Sequence, residues 1–322
     1  MNEIRSIIVN SLMIQDCHPK QSKSTDVSKS IDYKIIGYDD FLPPSIISKI
    51  KTMSGKEIKF RVNKTHITLH ILSNDSDYYE TFFIKFISDC IHVIENVFKR
   101  SIERCKIILA LTNEKKILSK DKIIKPININ SGLSYIHVNK SYIIIYRKEE
   151  ICKVIIHELL HIYHIHPYYY KPEFDLFLKK KHNIQLIKGK SLNIFESYVE
   201  SLAVFINSII YEEMFDSKNT FTKELKHQLS TVKQFSNYKP YFESTNVYSY
   251  VFLKYILLVN FDNILNDLKS QNYCIHDLQI LLKYDKKTVN HVKGTNPVRK
   301  NKFKITLSTM DIFKTYLKMF NQ

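Results

Sequence analysis

YIIIYRKEEICKVIIHELLHIYHI, residues 142–165, is the stretch of sequence that decides the fold. Its opening YIIIY run is β-branched and aromatic, which favours a β-strand. From Ile151 onward, apolar residues recur at intervals of three and four, the spacing of one helix face. Pro167 disfavours helical geometry for His166, so the predicted helix covers about residues 148–165. A strand leading directly into an apolar helix is therefore predicted here.

The residues before this stretch are predicted to complete a small mixed β-sheet with a backing helix. Apolar and polar residues alternate on both sides of Asn63-Lys64, a pair typical of a hairpin turn. A later segment has apolar residues at helical spacing. The predicted elements are strands at about 58–62, 66–72, 105–111, 133–138 and 142–146, and a helix at about 78–97.

The second half of the chain is predicted to be mostly α-helical, which makes the fold class α+β. Its predicted helices lie at about 193–214, 221–235, 246–268 and 309–320. Three parts follow: a flexible arm at 1–30, a strand-rich upper lobe at 31–167 and a helical lower lobe at 168–322.

The helix carries the sequence His-Glu-Leu-Leu-His at residues 157–161. Positions i and i+4 lie on one helix face, so His157 and His161 can bind the same metal ion. Glu158 follows the first ligand, where its carboxylate can take the proton of an activated water. This spacing predicts a catalytic Zn²⁺ site, with one ion per chain.

This segment resembles the active-site helix of the zincin metallopeptidases, and the order of elements before it resembles the zincin upper lobe. The resemblance implies that a zinc-activated water hydrolyses peptide bonds, with Glu158 as the general base. It also implies that residues 142–146 form the edge strand that binds extended substrate. The helical lower lobe would supply the third zinc ligand.

Residues 196–203 match the gluzincin branch of that family, whose third ligand is a glutamate on a later helix. Metzincins are excluded, because position 164 is not Gly and Pro167 stands where their third His belongs. The resemblance implies that Glu196 binds zinc while Glu200 orients a histidine ligand. The reverse assignment remains open, since both carboxylates lie on one helix face.

Other side chains are weaker candidates for the site. His164 lies one turn after His161 and is interpreted as lining the site, because one helix rarely supplies three ligands. A donor to the reaction's oxyanion is also expected. The sequence does not distinguish a catalytic from a packing role for these four residues: Tyr248, Tyr250, His291 and Arg299.

The chain has a formal net charge of +16. This charge favours an acidic partner or nucleic acid, although Lys-rich codon usage would produce the same balance. The five cysteines show no C-x-x-C spacing, which indicates a reducing compartment rather than a disulfide framework. No apolar run reaches the length of a bilayer span.

These features predict a cytoplasmic protein acting on a protein or peptide, without a membrane partner. Two other functions stay open: a catalytically idle zincin-fold binding protein, and a basic nucleic-acid-associated factor. Retention of Glu158 argues against the first function. The lack of a recognisable nucleic-acid-binding module argues against the second. The Lys/Ile/Asn-rich composition resembles that of large DNA virus proteins, for which the location would be the host cell or virion.

Overall fold

The structure is a computed structural model that describes residues 2–13, 20–24, 42–73, 79–118, 123–136, 141–165, 176, 180, 185–186, 192–238, 242–262, 265 and 311–320. The helices are α1 (Asn2–Leu12), α2 (Pro44–Lys51), α3 (Glu80–Phe98), α4 (Pro126–Ile129), α5 (Ile151–Ile162), α6 (Ile194–Phe215), α7 (Thr220–Tyr238), α8 (Lys254–Val259) and α9 (Ile312–Phe320), with a π-helical turn at Ser249–Leu253 before α8. The strands are β1 (Lys20–Ser24), β2 (Gly55–Val62), β3 (Thr65–Leu72), β4 (Arg104–Ala110), β5 (Ile123–Ile124), β6 (Gly132–Tyr135), β7 (Ser141–Ile145), β8 (Gln185–Leu186) and β9 (Phe242–Glu243).

The chain divides into two compact units. The strand-rich unit contains residues 2–115, 130–164 and 311–322, and the helical unit contains residues 116–129 and 165–310. The α+β class is confirmed, and the described residues of the second half are mostly helical.

The strand-rich unit is built on a six-stranded mixed sheet with the order β1-β2-β3-β4-β7-β6. The pairs β3–β4 and β4–β7 are parallel, and the other three pairs are antiparallel. Asn63 adopts a left-handed φ of 51° in the β2–β3 turn, so the predicted hairpin is confirmed.

One expectation about the sheet was wrong. Strand β7 lies between β4 and β6, so the edge strand is β6 and not residues 142–146. The reason lies in burial: Ile143, Ile144 and Ile145 are all buried, and a continuous apolar run suits a strand with neighbours on both sides. Strand β6 is shorter and only partly buried, as suits an edge.

The core of this unit lies between one sheet face and the helices α3 and α5. Alternate residues of the strands, such as Ile58, Leu69 and Ile107, point to that face and are fully buried. Helix α3 is buried along most of its length, which matches the predicted backing helix. Apolar packing of this kind contributes roughly 1.5–3 kcal/mol per buried side chain.

The N-terminal residues differ from the predicted flexible arm. Residues 2–12 form α1, whose Ile4 and Ile8 are buried one helical turn apart. Helix α1 packs on α3, and Asn96 Nδ2 donates to Ser11 Oγ at 2.9 Å. The sequence pattern was misread because only one narrow stripe of this short helix is apolar.

The predicted lobe boundaries also differ at two places. Helix α9 belongs to the strand-rich unit, because Phe313 packs against Phe83 and Tyr79 with ring centroids 4.9 and 5.1 Å apart. Residues 116–129 belong to the helical unit, where β5 pairs with β9. The positions of these two segments in the chain do not indicate which unit each of them joins.

The helical unit packs α6 against α7, α8 and the π-helical turn. By length and composition α6 could cross a membrane, but 83% of its most apolar window is buried inside the protein. Core helices pass the same test, and no other helix among the described ranges does so. The cysteines of the described residues, Cys90, Cys105 and Cys152, are free and buried. Cys17 and Cys274 lie outside the described residues.

A buried histidine in the sheet gives the fold a predictable acid sensitivity. His70 is 0% exposed, and its Nε2 lies 3.3 Å from Glu57 Oε2. Burial and, secondarily, the charge of Lys106 lower the pKa of His70 from 6.5 to about 4, against the opposing effect of Glu57. The folded state therefore holds His70 neutral where the unfolded chain protonates it.

We expect this group to stabilise the fold fully above pH 6.5 and to lose that contribution as the pH falls from 6.5 towards 4. At pH 5 the loss amounts to about 2 kcal/mol. Urea unfolding at pH 7.5 and pH 5, with a chelator present, should show this extra loss in the wild type relative to His70→Gln. Equal losses in the two proteins would contradict the assignment.

Candidate metal centre

Helix α5 carries the predicted metal ligands, and all of its residues except His161 are buried. It begins after Glu150, which adopts a left-handed φ of 60°, and its last turn closes before His164, at φ 54°. Residues in the left-handed conformation therefore lie at both ends of the helix. The helix begins three residues later and ends three residues earlier than predicted. Pro167, the predicted stop, lies outside the described residues.

Close packing at Gly132 sets the distance between α5 and the sheet. A Cβ on Gly132 would lie 2.9 Å from Val154 Cγ1, which is closer than real contacts allow. The missing side chain at Gly132 therefore lets the edge strand approach the helix.

A buried polar cluster fixes the C-terminal end of the same helix. Tyr163 OH donates to Glu95 Oε1 at 2.9 Å, and Thr65 Oγ1 donates to the same oxygen at 3.1 Å. The other carboxylate oxygen accepts from Asn63 Nδ2 at 2.7 Å. Glu95, on α3, thus ties the end of α5 to the β2–β3 hairpin. Sequence analysis did not single out this group, because its residues are far apart in the chain.

His157 and His161 point their rings at one another across a helical turn. The two Nε2 atoms lie 3.1 Å apart, and the rings meet nearly edge to face at 73°. Two nitrogens bound to one tetrahedral zinc at 2.0–2.1 Å would be separated by about 3.3 Å. The pair therefore fits a shared zinc ion. The same distance also suits a hydrogen bond between neutral imidazoles, so metal content is the deciding measurement.

Glu158 lies beside the first histidine and is 6% exposed. Tyr146, directly after β7, is near enough for the charge of Glu158 to affect the pKa of its hydroxyl group. Burial raises the pKa of Tyr146, Arg147 opposes that rise, and the negative charge of Glu158 adds to it. Tyr146 OH donates to the Asn130 carbonyl at 2.8 Å, which holds the ring in place. The Glu158 carboxylate is thus largely shielded from water, and its electrostatic interactions with neighbouring groups are stronger than they would be in water.

The two predicted carboxylates lie on α6, in the helical unit. Glu196 stands in the first turn and is half-buried, while Glu200 is 1% exposed. Glu200 Oε1 lies 3.5 Å from Lys254 Nζ, and Lys254 is itself 0% exposed. Sequence analysis assigned Lys254 no role, although a charge in an apolar run is a signal for a buried partner.

The remaining candidates separate by burial. His164 is exposed, Tyr248 is fully buried and Tyr250 is half-buried. His291 and Arg299 lie outside the described residues, so the structure gives no information on them.

A scan against protein-family models, a search of curated proteins and a search of solved structures each found no match to the chain.

Proposed function

We propose that this chain is a zinc-dependent metallopeptidase of the zincin type, with His157 and His161 as metal ligands and Glu158 as the general base. The observation that carries the proposal is the 3.1 Å separation of the two Nε2 atoms on a buried helix. A carboxylate at position 158 is the second support, because a purely structural zinc site has no use for it.

Glu196 is proposed as the third ligand. Two imidazoles and one glutamate are a ligand set typical of catalytic zinc, which keeps one position for water or substrate. The proposed gluzincin-like role of Glu196 rests on this set and on the sequence match at residues 196–203.

Glu200 is proposed to act behind the ligands rather than on the metal. Its partner is the buried Lys254, whose Nζ lies 3.5 Å from Glu200 Oε1, and such pairing offsets the cost of burying a carboxylate. A carboxylate one helical turn from Glu196 is proposed to orient a histidine ligand by accepting its outer N–H.

In the proposed reaction, a bound zinc ion would polarise the scissile carbonyl. It would also lower the pKa of a water molecule, so that the water loses a proton readily and attacks the carbonyl carbon. Glu158 accepts the proton of that water and then gives it to the leaving amine. Exclusion of water strengthens the electrostatic interactions of the Glu158 carboxylate in the first step, and in the second step Glu158 acts as the neutral acid that donates the proton. The substrate is a peptide bond in a protein or peptide, and the proposed location is the cytoplasm.

Zinc content tests the proposal directly. Purified wild-type protein should hold about one zinc per chain by elemental analysis, and His157→Ala should lose it, because two remaining ligands bind zinc poorly. His164→Asn is the matched control: Asn tolerates the left-handed backbone at φ 54°, and this variant should keep its zinc.

Two results would overturn the metal assignment. One is stoichiometric zinc in His157→Ala, and the other is a wild-type protein that binds no zinc at micromolar free metal. A folded state of each variant, checked by circular dichroism, makes both results interpretable.

A further inference from the structure

The sheet face opposite α3 and α5 carries a row of two lysines, one threonine and two tyrosines. Strand register places Lys59 opposite Thr68, Thr68 beside Lys106, Lys106 beside Tyr142, and Tyr142 opposite Tyr135. These positions share one face, because directly paired residues point the same way. The row crosses five strands and spans about 19 Å at the usual strand spacing.

A second basic row runs beside the first. It consists of Arg61, His66 and Arg104, which pair across β2, β3 and β4. Arg61 and His66 are exposed, and the side chains of Lys59 and Arg104 are 68% and 72% exposed. Lys59, Arg61 and Arg104 thus place three cations on an accessible surface, although Arg104 Nε also lies 3.2 Å from Glu103 Oε1.

The electrostatics of Glu57, the acid next to these rows, indicate a local excess of positive charge. Burial by itself would raise its pKa. The pKa is nevertheless lowered by the hydrogen bond from Lys59, with further contributions from the charges of Lys59 and Lys106. Glu57 is therefore an ionised carboxylate 3.0 Å from Lys59 Nζ, and it offsets only part of the positive charge of the two rows.

The aromatic end of the row is a pair of half-buried tyrosines. The rings of Tyr135 and Tyr142 lie 5.0 Å apart at an angle of 37°. Neighbouring strands hold them in place, so they lose little conformational entropy on binding a flat partner.

We propose that this face binds single-stranded nucleic acid, with Lys59, Lys106 and the second basic row on the phosphates and the tyrosine pair stacking against a base. Single-stranded binding sites combine a basic track along the backbone with aromatic platforms for the bases. An acidic peptide would need the cations but not the aromatic end. The inference does not depend on the metal centre, because every residue in it lies on the other face of the sheet.

Fluorescence anisotropy of the full-length wild-type protein with labelled dT₂₀ and U₂₀ tests the proposal across a salt series. Neutralising two phosphate contacts in Lys59→Gln/Lys106→Gln should reduce the slope of log K against log salt by about 1.4, from about 0.7 per contact. The matched control is Lys223→Gln/Lys226→Gln, which removes the same charge from exposed positions of α7. It should leave the slope within error of the wild type.

The tyrosine contribution needs its own variants. Tyr142→Leu keeps an apolar strand residue but removes stacking, and it should weaken binding about 5- to 150-fold. Tyr142→Phe keeps the ring and should bind like the wild type. Polyglutamate should compete poorly with U₂₀ at equal charge.

Three outcomes would overturn the proposal. The first is no binding by the wild type at low salt, and the second is an equal slope change in the two lysine pairs. The third is polyglutamate competing as well as U₂₀ while Tyr142→Leu binds normally, which would identify an acidic protein surface as the partner. Thermal unfolding of each variant separates loss of binding from loss of fold.

Discussion

Replacing Glu158 with glutamine is expected to lower peptide hydrolysis by about 10²–10⁴-fold while zinc stays bound. The amide has almost the same shape as the carboxylate but cannot accept the proton of the attacking water. Glu158 is proposed as a base and not as a ligand, so the metal ligands are unchanged. A further effect on packing should be small, because the substitution is isosteric.

Hydrolysis is best followed on a proteome-derived peptide library by mass spectrometry, since the cleavage specificity is unknown. Zinc content is measured on the same preparation. Glu103→Gln is the matched control, because it makes the same chemical change at a side chain that is 77% exposed. A zinc-loaded wild type that cleaves nothing in the library, or a Glu158→Gln variant as active as the wild type, would contradict the proposed mechanism.

Replacing each of the two carboxylates of α6 in turn should lower zinc affinity to different extents. Glu196→Ala, which removes the proposed ligand, is expected to weaken zinc binding by more than about 100-fold. Loss of an outer partner costs only about 10–100-fold, and that range is expected for Glu200. Competition with a fluorescent chelator measures both affinities.

The choice of variant at position 200 matters because of Lys254. Removing one member of a buried ion pair costs about 3–5 kcal/mol, so Glu200→Ala risks unfolding the helical unit. Glu200→Gln together with Lys254→Met removes both charges and avoids an uncompensated cation. Glu213→Ala, an exposed position on the same helix, is the matched control and should leave the affinity unchanged.

The outcome for the two positions is decisive in either direction. If the Glu200 variant loses more affinity than Glu196→Ala, the roles of the carboxylates are reversed and the reaction class survives. If neither variant changes zinc affinity, the third ligand lies elsewhere and the gluzincin-like assignment fails.

Local patterns in the sequence were enough to predict most elements of the fold. The alternation around Asn63-Lys64 predicted the hairpin, and helical spacing predicted α3 and α5. The His157–His161 pair was predictable for the same reason, since i and i+4 always meet on a helix. These features depend on residues close together in the chain.

Features that depend on distant residues were not predictable. Strand order is one example: whether β6 or β7 lies at the edge depends on the pairing of β7 with β4. The Glu95 cluster and the Glu200–Lys254 pair are others, since each joins segments separated by 30 residues or more. A single polar residue in an apolar run signals a buried partner but does not name it.

Helix α9 has a consequence for how the protein folds during synthesis. The helix packs on α5, yet the ribosome makes it only after the whole helical unit. Until Phe313 has been made, Phe82 and Phe83 on α3 lack the ring contacts that it provides. Domains usually fold as units during translation, in chain order. Here the helix that carries His157 and His161 is made about halfway through synthesis, but its packing against α9 can form only after residues 312–320 have been made.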